Sequence, residues 1–153
     1  MSTADALTGD LLASLGPALD TTLVVLAGDH GEAFGEHGEV GHSVFVYDTT
    51  LRVPLIVRGP GIPPSRVVED AVSLIDVAAT VLAQLRVSPL DTDGVDLSPS
   101  FAGTSLGARA LYAETFAPLL DFGWSSLRTL REGRWKYIAA PRAELYDIVE
   151  DPE

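Results

Sequence analysis

The feature that most constrains this chain is an apolar, β-branched run at residues 21–27 (TTLVVLA), which ends at a polar, glycine-rich loop. Such a run predicts a strand that is buried on both faces, as in parallel sheets. The loop, residues 28–41, holds five glycines and no long apolar run. Because ligands of open α/β sheets bind beyond the carboxyl ends of the strands, this junction is where we expect a site.

The rest of the chain divides into a front half with parallel α/β character and a back half that resembles a small antiparallel sheet. Leucine spacing and a broad apolar face predict helices at residues 7–19 and 70–85. Short strands are predicted at residues 53–57, 110–115, 126–130, 135–139 and 145–147, the third and fourth forming a hairpin. We therefore predict the α/β fold class, with a small C-terminal antiparallel sheet.

Composition excludes several classes of function. The 153 residues carry 22 acidic and 10 basic side chains, a net charge of −12, so the basic footprint of a nucleic-acid binder is missing. Absent cysteine excludes disulfides, Cys-ligated zinc, iron–sulfur clusters and thiol catalysis. The sequence shows no secretory signal and no apolar run of the roughly 18–20 residues that a membrane span needs. As written, the chain is expected to stay in the cytoplasm.

All three histidines, His30, His37 and His42, fall within thirteen residues of the polar loop. Asp29 and His30 together suit a divalent cation, although a capping Asp beside a solvated His is equally consistent with the sequence. Two ligands do not close a site, so further ligands must come from elsewhere. His42 could contact a developing oxyanion or protonate a leaving group, whereas His37 is interpreted as a surface residue.

Three glutamates of the same loop, Glu32, Glu36 and Glu39, could also bind metal, but a solvated acidic loop is the simpler interpretation. The aromatic side chains of the back half are assigned to the core of the terminal sheet. They are Tyr112, Phe116, Trp124, Trp135 and Tyr137. Lys136 is interpreted as an exposed strand residue and Arg58 as a structural one.

An ordered series of motifs resembles the sulfatase branch of the alkaline phosphatase superfamily. The series begins with LVVLAGDHGE at residues 23–32 and continues over nearly the whole chain. Its later members are FGEHG at 34–38, GH at 41–42, LRVPLIVRGPG at 51–61, SLIDVAATVL at 73–82, DGVDL at 93–97, RWKYI at 134–138, ELYD at 144–147 and DPE at 151–153. A lone DHG would be a weak signal, whereas this order and spacing are specific.

The resemblance implies a partial alkaline-phosphatase-like layered sandwich. Residues 1–106 would form the C-terminal part of the catalytic domain, and residues 107–153 an antiparallel subdomain and tail. It also implies that Asp29 and His30 bind a divalent ion (calcium, manganese or zinc) and that His42 contacts the ester oxygen. The expected substrate is a small-molecule or glycan sulfate ester. Relatives that carry His at position 30 leave a phosphodiester or phosphonate hydrolase, or a phosphoethanolamine transferase, as the alternative.

The chain departs from the family at the nucleophile. Sulfatases place a Cys or Ser in a C/S-x-P-x-R motif, whereas here the only P-S-R string is at residues 64–66, with Ile62 at the nucleophile position. The chain resembles the C-terminal portion of longer relatives, so Met1 is expected to be an internal start and a full-length parent could be exported. We expect the isolated chain to be inactive, marginally stable or self-associating through exposed sheet edges. A non-catalytic remnant that binds metal or a partner remains an alternative, and an unrelated α/β binding domain is a remoter one.

Overall fold

The computed structural model describes residues 3–150, and it begins with an exposed helix. Helix α1 (Thr3–Ser14) is followed by a 3-10 turn at Gly16–Thr21. Gly16 has φ +51° and Pro17 opens the turn, so the α-helical part of the predicted helix ends before them. The two expectations that fall on Met1 and on residues 151–153 lie outside the described residues.

Strand β1 (Val24–Ala27) delivers the chain to the polar loop, but it does not form a parallel sheet. It pairs antiparallel with β4 (Leu55–Arg58), in the register Val24↔Arg58 to Ala27↔Leu55. The prediction of a parallel strand buried on both faces is therefore wrong for residues 3–150. The two strands form a sheet of their own, and the carboxyl-terminal half of β1 is exposed.

Short elements fill the segment between β1 and β4. Strands β2 (Ala33–Phe34) and β3 (Val40–Gly41) pair around a 3-10 turn. A four-residue helix, α2 (Asp48–Leu51), then leads into β4. The predicted loop therefore contains a small ribbon, and α2 lies against the turn that follows β1.

Helix α3 (Asp76–Gln84) starts later than the sequence indicated. Residues 70–75 form a connector, in which the Asp70 carboxylate accepts hydrogen bonds from the Leu106 amide (2.9 Å) and the Ser105 hydroxyl (2.8 Å). These contacts fasten the segment before α3 to the chain before the terminal sheet. A second four-residue helix, α4 (Ser98–Phe101), lies in the turn-rich segment after α3.

The antiparallel C-terminal sheet is confirmed. Its strands follow the order β5-β6-β7-β8, and helix α5 (Ala117–Phe122) connects the first two. The strands are β5 (Ala110–Thr115), β6 (Leu127–Glu132), β7 (Trp135–Ala139) and β8 (Glu144–Asp147). The chain is thus an α/β structure with a small four-stranded sheet, as predicted from its sequence.

The two faces of this sheet differ from the expected pattern. The inner face buries Thr129, Lys136 and Ile138, each less than 5% exposed. The outer face instead presents a row of cross-strand neighbours that are all exposed. The row is Tyr112, Leu130, Tyr137 and Leu145. The interpretation of Lys136 as exposed is therefore wrong, and the aromatic side chains assigned to the core of the sheet are exposed.

Few apolar side chains are fully enclosed in the described residues. Ala33, Val46, Leu97 and Ile138 are the buried hydrophobic residues, and many large apolar side chains stay in contact with solvent. None of the helices in residues 3–150 combines the length and the apolar character that crossing a bilayer requires.

Candidate metal centre and active site

Two backbone hydrogen bonds bracket the turn that carries Asp29 and His30. Gly28 donates to the carbonyl of Pro54 (3.1 Å), and Gly31 donates to the carbonyl of Thr50 (2.8 Å). Both acceptors lie in the segment that runs through α2 to β4. The turn therefore takes its position from this segment as well as from β1.

Gly31 lies directly against α2. A Cβ atom at this position would come within 2.1 Å of the Thr49 carbonyl oxygen, so only glycine fits without moving backbone. This close approach explains the glycine that follows His30 in the sequence, and it makes the turn and α2 one packed unit.

The imidazoles of His30 and His42 stack, with ring centroids 3.8 Å apart and an interplanar angle of 26°. Nδ1 of His30 lies 2.8 Å from the carbonyl oxygen of Gly31, which can only accept a hydrogen bond. His30 therefore carries its proton on Nδ1 when neutral, which leaves Nε2 as a lone-pair donor for a metal. Nε2 lies 3.8 Å from Oδ2 of Asp29.

Glu32 contacts the second histidine. Its Oε2 lies 3.1 Å from Nδ1 of His42, an arrangement that orients an imidazole and leaves Nε2 free for other partners. His30, Glu32 and His42 each present a donor atom, and these three atoms lie within 4.8 Å of one another. Two imidazole nitrogens and a carboxylate are ordinary ligands of divalent metals, so this donor set fits such an ion.

Asp29 lies at the rim of this cluster with a side chain that is 92% exposed. Hydrogen bonds from its own backbone amide and from that of His30 lower the pKa of the Asp29 carboxyl, and the nearby His30 lowers it further. The carboxylate is thus ionised at neutral pH, as a metal ligand must be. The structure brings Asp29, His30 and His42 together, as the sequence suggested.

His37 is separate from this cluster. Its ring stacks on Tyr47 with centroids 3.8 Å apart and meets Tyr146 edge-on. The Tyr47 hydroxyl donates to Glu144 Oε2 (2.9 Å). Burial is the larger cause of a raised pKa of Tyr47, and this hydrogen bond is the second. His37 therefore joins the glycine-rich loop to β8 rather than completing the metal cluster.

The remaining glutamates of the loop hold its backbone. Glu36 accepts from the Phe34 amide (2.6 Å), and the buried Glu39 accepts through Oε1 from the amides of Val44 and Phe45. Glu32 is the loop glutamate that reaches the histidines. The sequence did not distinguish Glu32 from Glu36 and Glu39 as a partner of the histidines, although its position directly after Asp-His-Gly could have indicated this.

A cleft of about 300 Å³ opens beside Asp29 and His30. Three basic side chains line it, namely Arg52, Arg131 and Lys136. Arg52 is exposed, whereas Lys136 is buried and paired with Asp48. Arg58 lies away from this cleft, where it donates to the Leu19 carbonyl (2.8 Å), in keeping with a structural role.

The chain is similar to known proteins over most of its length. The family model described as "Sulfatase" matches residues 1–87, more than half of the chain. The chain belongs to the sulfatase family. A choline-sulfatase from Rhizobium meliloti (strain 1021) is 35% identical over 88% of this chain and 26% of its own length. Arylsulfatase K from Mus musculus is 30% identical over 97% of this chain and 29% of its own length.

Solved structures support the fold. A phosphonate monoester hydrolase from Silicibacter pomeroyi superposes with a TM-score of 0.80, at 27% identity, over 95% of this chain and 33% of its own. The predicted alkaline-phosphatase-like α/β architecture is thereby confirmed. The chain spans about a third or less of each of these proteins.

Proposed function

We propose that this chain supplies part of the active site of a metal-dependent hydrolase that cleaves sulfate esters. The observation that carries the proposal is the cluster of His30, Glu32 and His42 beside Asp29, at the end of β1, in a chain of the sulfatase family. These donors lie within residues 29–42, and Asp29 and His30 line the cleft in which an ester could bind beside a divalent ion.

The residues have distinct roles in this proposal. Asp29 and His30 bind the ion through the carboxylate and through Nε2, the nitrogen that the Gly31 carbonyl leaves free. The metal supplies Lewis-acid stabilisation of developing negative charge on the ester. His42, oriented by Glu32, would present Nε2 as a hydrogen-bond or proton donor to an oxygen of the ester when both of its ring nitrogens carry a proton.

Manganese and zinc suit this donor set better than calcium. Calcium prefers six to eight oxygen ligands, whereas His30 offers nitrogen and the cluster mixes imidazole with carboxylate. We therefore propose manganese or zinc as the ion, and we rank calcium behind them.

The substrate that we propose is a small-molecule or glycan sulfate ester. A choline-sulfatase and arylsulfatases among the relatives support a sulfate ester. A phosphonate monoester is the second candidate, because one of the similar solved structures is a hydrolase named for that substrate. Competing turnover of an aryl sulfate and an aryl phosphonate by an enzyme that contains this chain would rank the two.

Metal binding by the chain itself tests the proposal most simply. Calorimetric titration with Mn²⁺ should give one saturable site, and Asp29→Ala should abolish it. Asp91→Ala, which removes an exposed carboxylate of the loop after α3, is the matched control and should bind as the unmodified chain does. Equal binding by the Asp29 variant would refute the assignment.

Turnover separates the enzyme from a non-catalytic remnant. We expect no turnover of an aryl sulfate by the 153-residue chain, because its P-S-R string has Ile62 at the nucleophile position. In an enzyme that also provides the nucleophile motif, turnover should depend on Asp29. Metal binding without turnover there would favour a binding remnant.

Self-association is a further part of the proposal. The outer row of the terminal sheet and the exposed end of β1 leave apolar surface in contact with water. Sedimentation velocity should show a concentration-dependent increase in mass for the purified chain. A monomer over a hundredfold range of concentration would contradict this expectation.

A further inference from the structure

We propose that Lys136 and Asp48 are a positioning pair for the turn that carries the metal ligands Asp29 and His30. The inference rests on the proposed metal site. It makes the four-stranded sheet a support of that site through one ion pair, although Lys136 lies more than a hundred residues after His30 in the sequence.

The first step is the burial of Lys136 against a half-buried Asp48. Lys136 lies on the inner face of β7 and is only 3% exposed. Its Nζ donates to Oδ1 of Asp48 at 2.5 Å. Arg131, the cross-strand neighbour of Lys136, brings its guanidinium to 3.9 Å from Oδ2 of the same carboxylate. Two basic side chains of the sheet therefore converge on one acid of α2.

A buried ion pair is seldom retained for stability alone, because removing two charges from water costs much of the attraction that they gain. Burial lowers the pKa of Lys136, and the hydrogen bond that Lys136 donates to Asp48 works against that shift. The pair is better explained by the geometry that it fixes, namely the location of the first residue of α2 on the sheet.

The second step runs from α2 to the metal ligands. Thr50, 5% exposed, accepts the hydrogen bond from the Gly31 amide through its carbonyl, and the Thr49 carbonyl touches Gly31 closely. Gly31 directly follows His30, and its own carbonyl fixes the His30 ring. Displacing α2 therefore moves the backbone that sets the direction of His30 Nε2.

A helix as short as α2 cannot hold its own position. Four residues are well below the length at which helices are stable in water, so tertiary contacts must fix α2. The Asp48 side chain makes such a contact at the beginning of the helix, and the Gly31 amide makes one near its end.

Lys136→Met tests the inference, because methionine keeps the apolar stem and removes the charge. Arg134→Met is the matched control: Arg134 lies in the same hairpin and pairs with Asp147 and Glu150, away from α2. Amide hydrogen exchange at Gly31, relative to the amides of α3, reads the turn directly and needs no metal. We expect Lys136→Met to speed this exchange about tenfold or more and to weaken Mn²⁺ binding about 10–100-fold, the range for outer supports of metal ligands.

Asp48→Asn is the second variant, since it keeps the size and polarity of the side chain and removes the charge. It should also speed exchange at Gly31, and it tests the inference if Lys136→Met does not fold. The positioning role is overturned if the folded variant exchanges the Gly31 amide, relative to the amides of α3, at the rate of the unmodified chain. It is also overturned if Arg134→Met speeds this exchange as much as Lys136→Met does. Failure of the unmodified chain to bind Mn²⁺ would sink the proposed metal site, whereas exchange at Gly31 would still decide the positioning role.

Discussion

Replacing Asp76 with alanine should strongly destabilise the fold of the chain. Asp76 is completely buried, and its carboxylate accepts four hydrogen bonds. Two come from the Arg109 guanidinium, at 2.7 and 2.9 Å. The others come from the backbone amides of Ser73 (2.8 Å) and Val95 (2.9 Å). One side chain thus joins the start of α3, the turn-rich segment and the approach to β5.

The expected cost follows from what Asp76→Ala leaves behind. Arg109 is only 19% exposed and would keep its charge without the carboxylate, and two amides would lose their acceptor. Removing one partner of a buried pair costs about 3–5 kcal/mol. Domains of this size have about 5–15 kcal/mol of stability, so the loss would consume a large share of it.

Urea denaturation followed by circular dichroism measures this loss. With a slope of about 2 kcal/mol/M, the midpoint should fall by about 2 M. Asp70→Ala is the matched control, because Asp70 accepts two hydrogen bonds and is only half-buried, so the loss of stability should be clearly smaller. A loss below about 1 kcal/mol for Asp76→Ala would refute the view that this carboxylate is a structural hub.

Three further predictions concern Gly31, Tyr47 and the pH dependence of Asp76. Gly31→Ala should destabilise the chain by about 1–3 kcal/mol in urea, since its Cβ would meet the Thr49 carbonyl at 2.1 Å, whereas Gly9→Ala, with open space around it, should not. Tyr47→Phe should cost about 1 kcal/mol in the same assay by removing the hydrogen bond to Glu144, and an unchanged midpoint would contradict this. Burial alone would raise the pKa of Asp76, but its hydrogen bonds from Arg109, Val95 and Ser73 outweigh burial and hold it below the ordinary value. The stabilisation that ionised Asp76 provides should therefore be complete above about pH 3.9, the pKa of an unfolded Asp, and should fade as pH falls through the lowered pKa of the folded chain. The difference in urea midpoint between the unmodified chain and Asp76→Asn should be smaller at about pH 3 than at about pH 6. An equal difference at both pH values would contradict this.

Local patterns in the sequence predicted the back half of the fold well. Residues 110–115 alternate between exposed and half-buried positions, and Gly133 supplies the positive φ of the hairpin turn, so both elements could be located from neighbouring residues. The direction of pairing between β1 and β4 could not be located in this way. A short apolar run carries no information about whether its partner strand is parallel.

The inward direction of Lys136 also could not be predicted from β7 alone. Alternation places Trp135 and Tyr137 on one face and Lys136 and Ile138 on the other, and apolar preference favours burying the aromatic rings. The acid that satisfies Lys136 lies 88 residues earlier, at Asp48. Only tertiary structure decides which face turns inward.

The candidate site shows the same division. Asp29, His30 and His42 are close in sequence, so a turn after β1 was sufficient to suggest that they meet. The acceptors that fix the turn, the carbonyls of Thr50 and Pro54, belong to a segment whose packing no local pattern reveals. The proximity of Asp29, His30 and His42 was therefore predictable, whereas the backbone contacts that support them were not.

The most direct test of the central claim is to locate the ion. Anomalous diffraction at the manganese edge, from crystals of the chain grown with Mn²⁺, should give a peak within bonding distance of His30 Nε2 and the Asp29 carboxylate. The same crystals should show His42 turned toward the cleft beside the ion. A peak at other residues, or none at saturating Mn²⁺, would contradict the assignment of this loop as the metal centre.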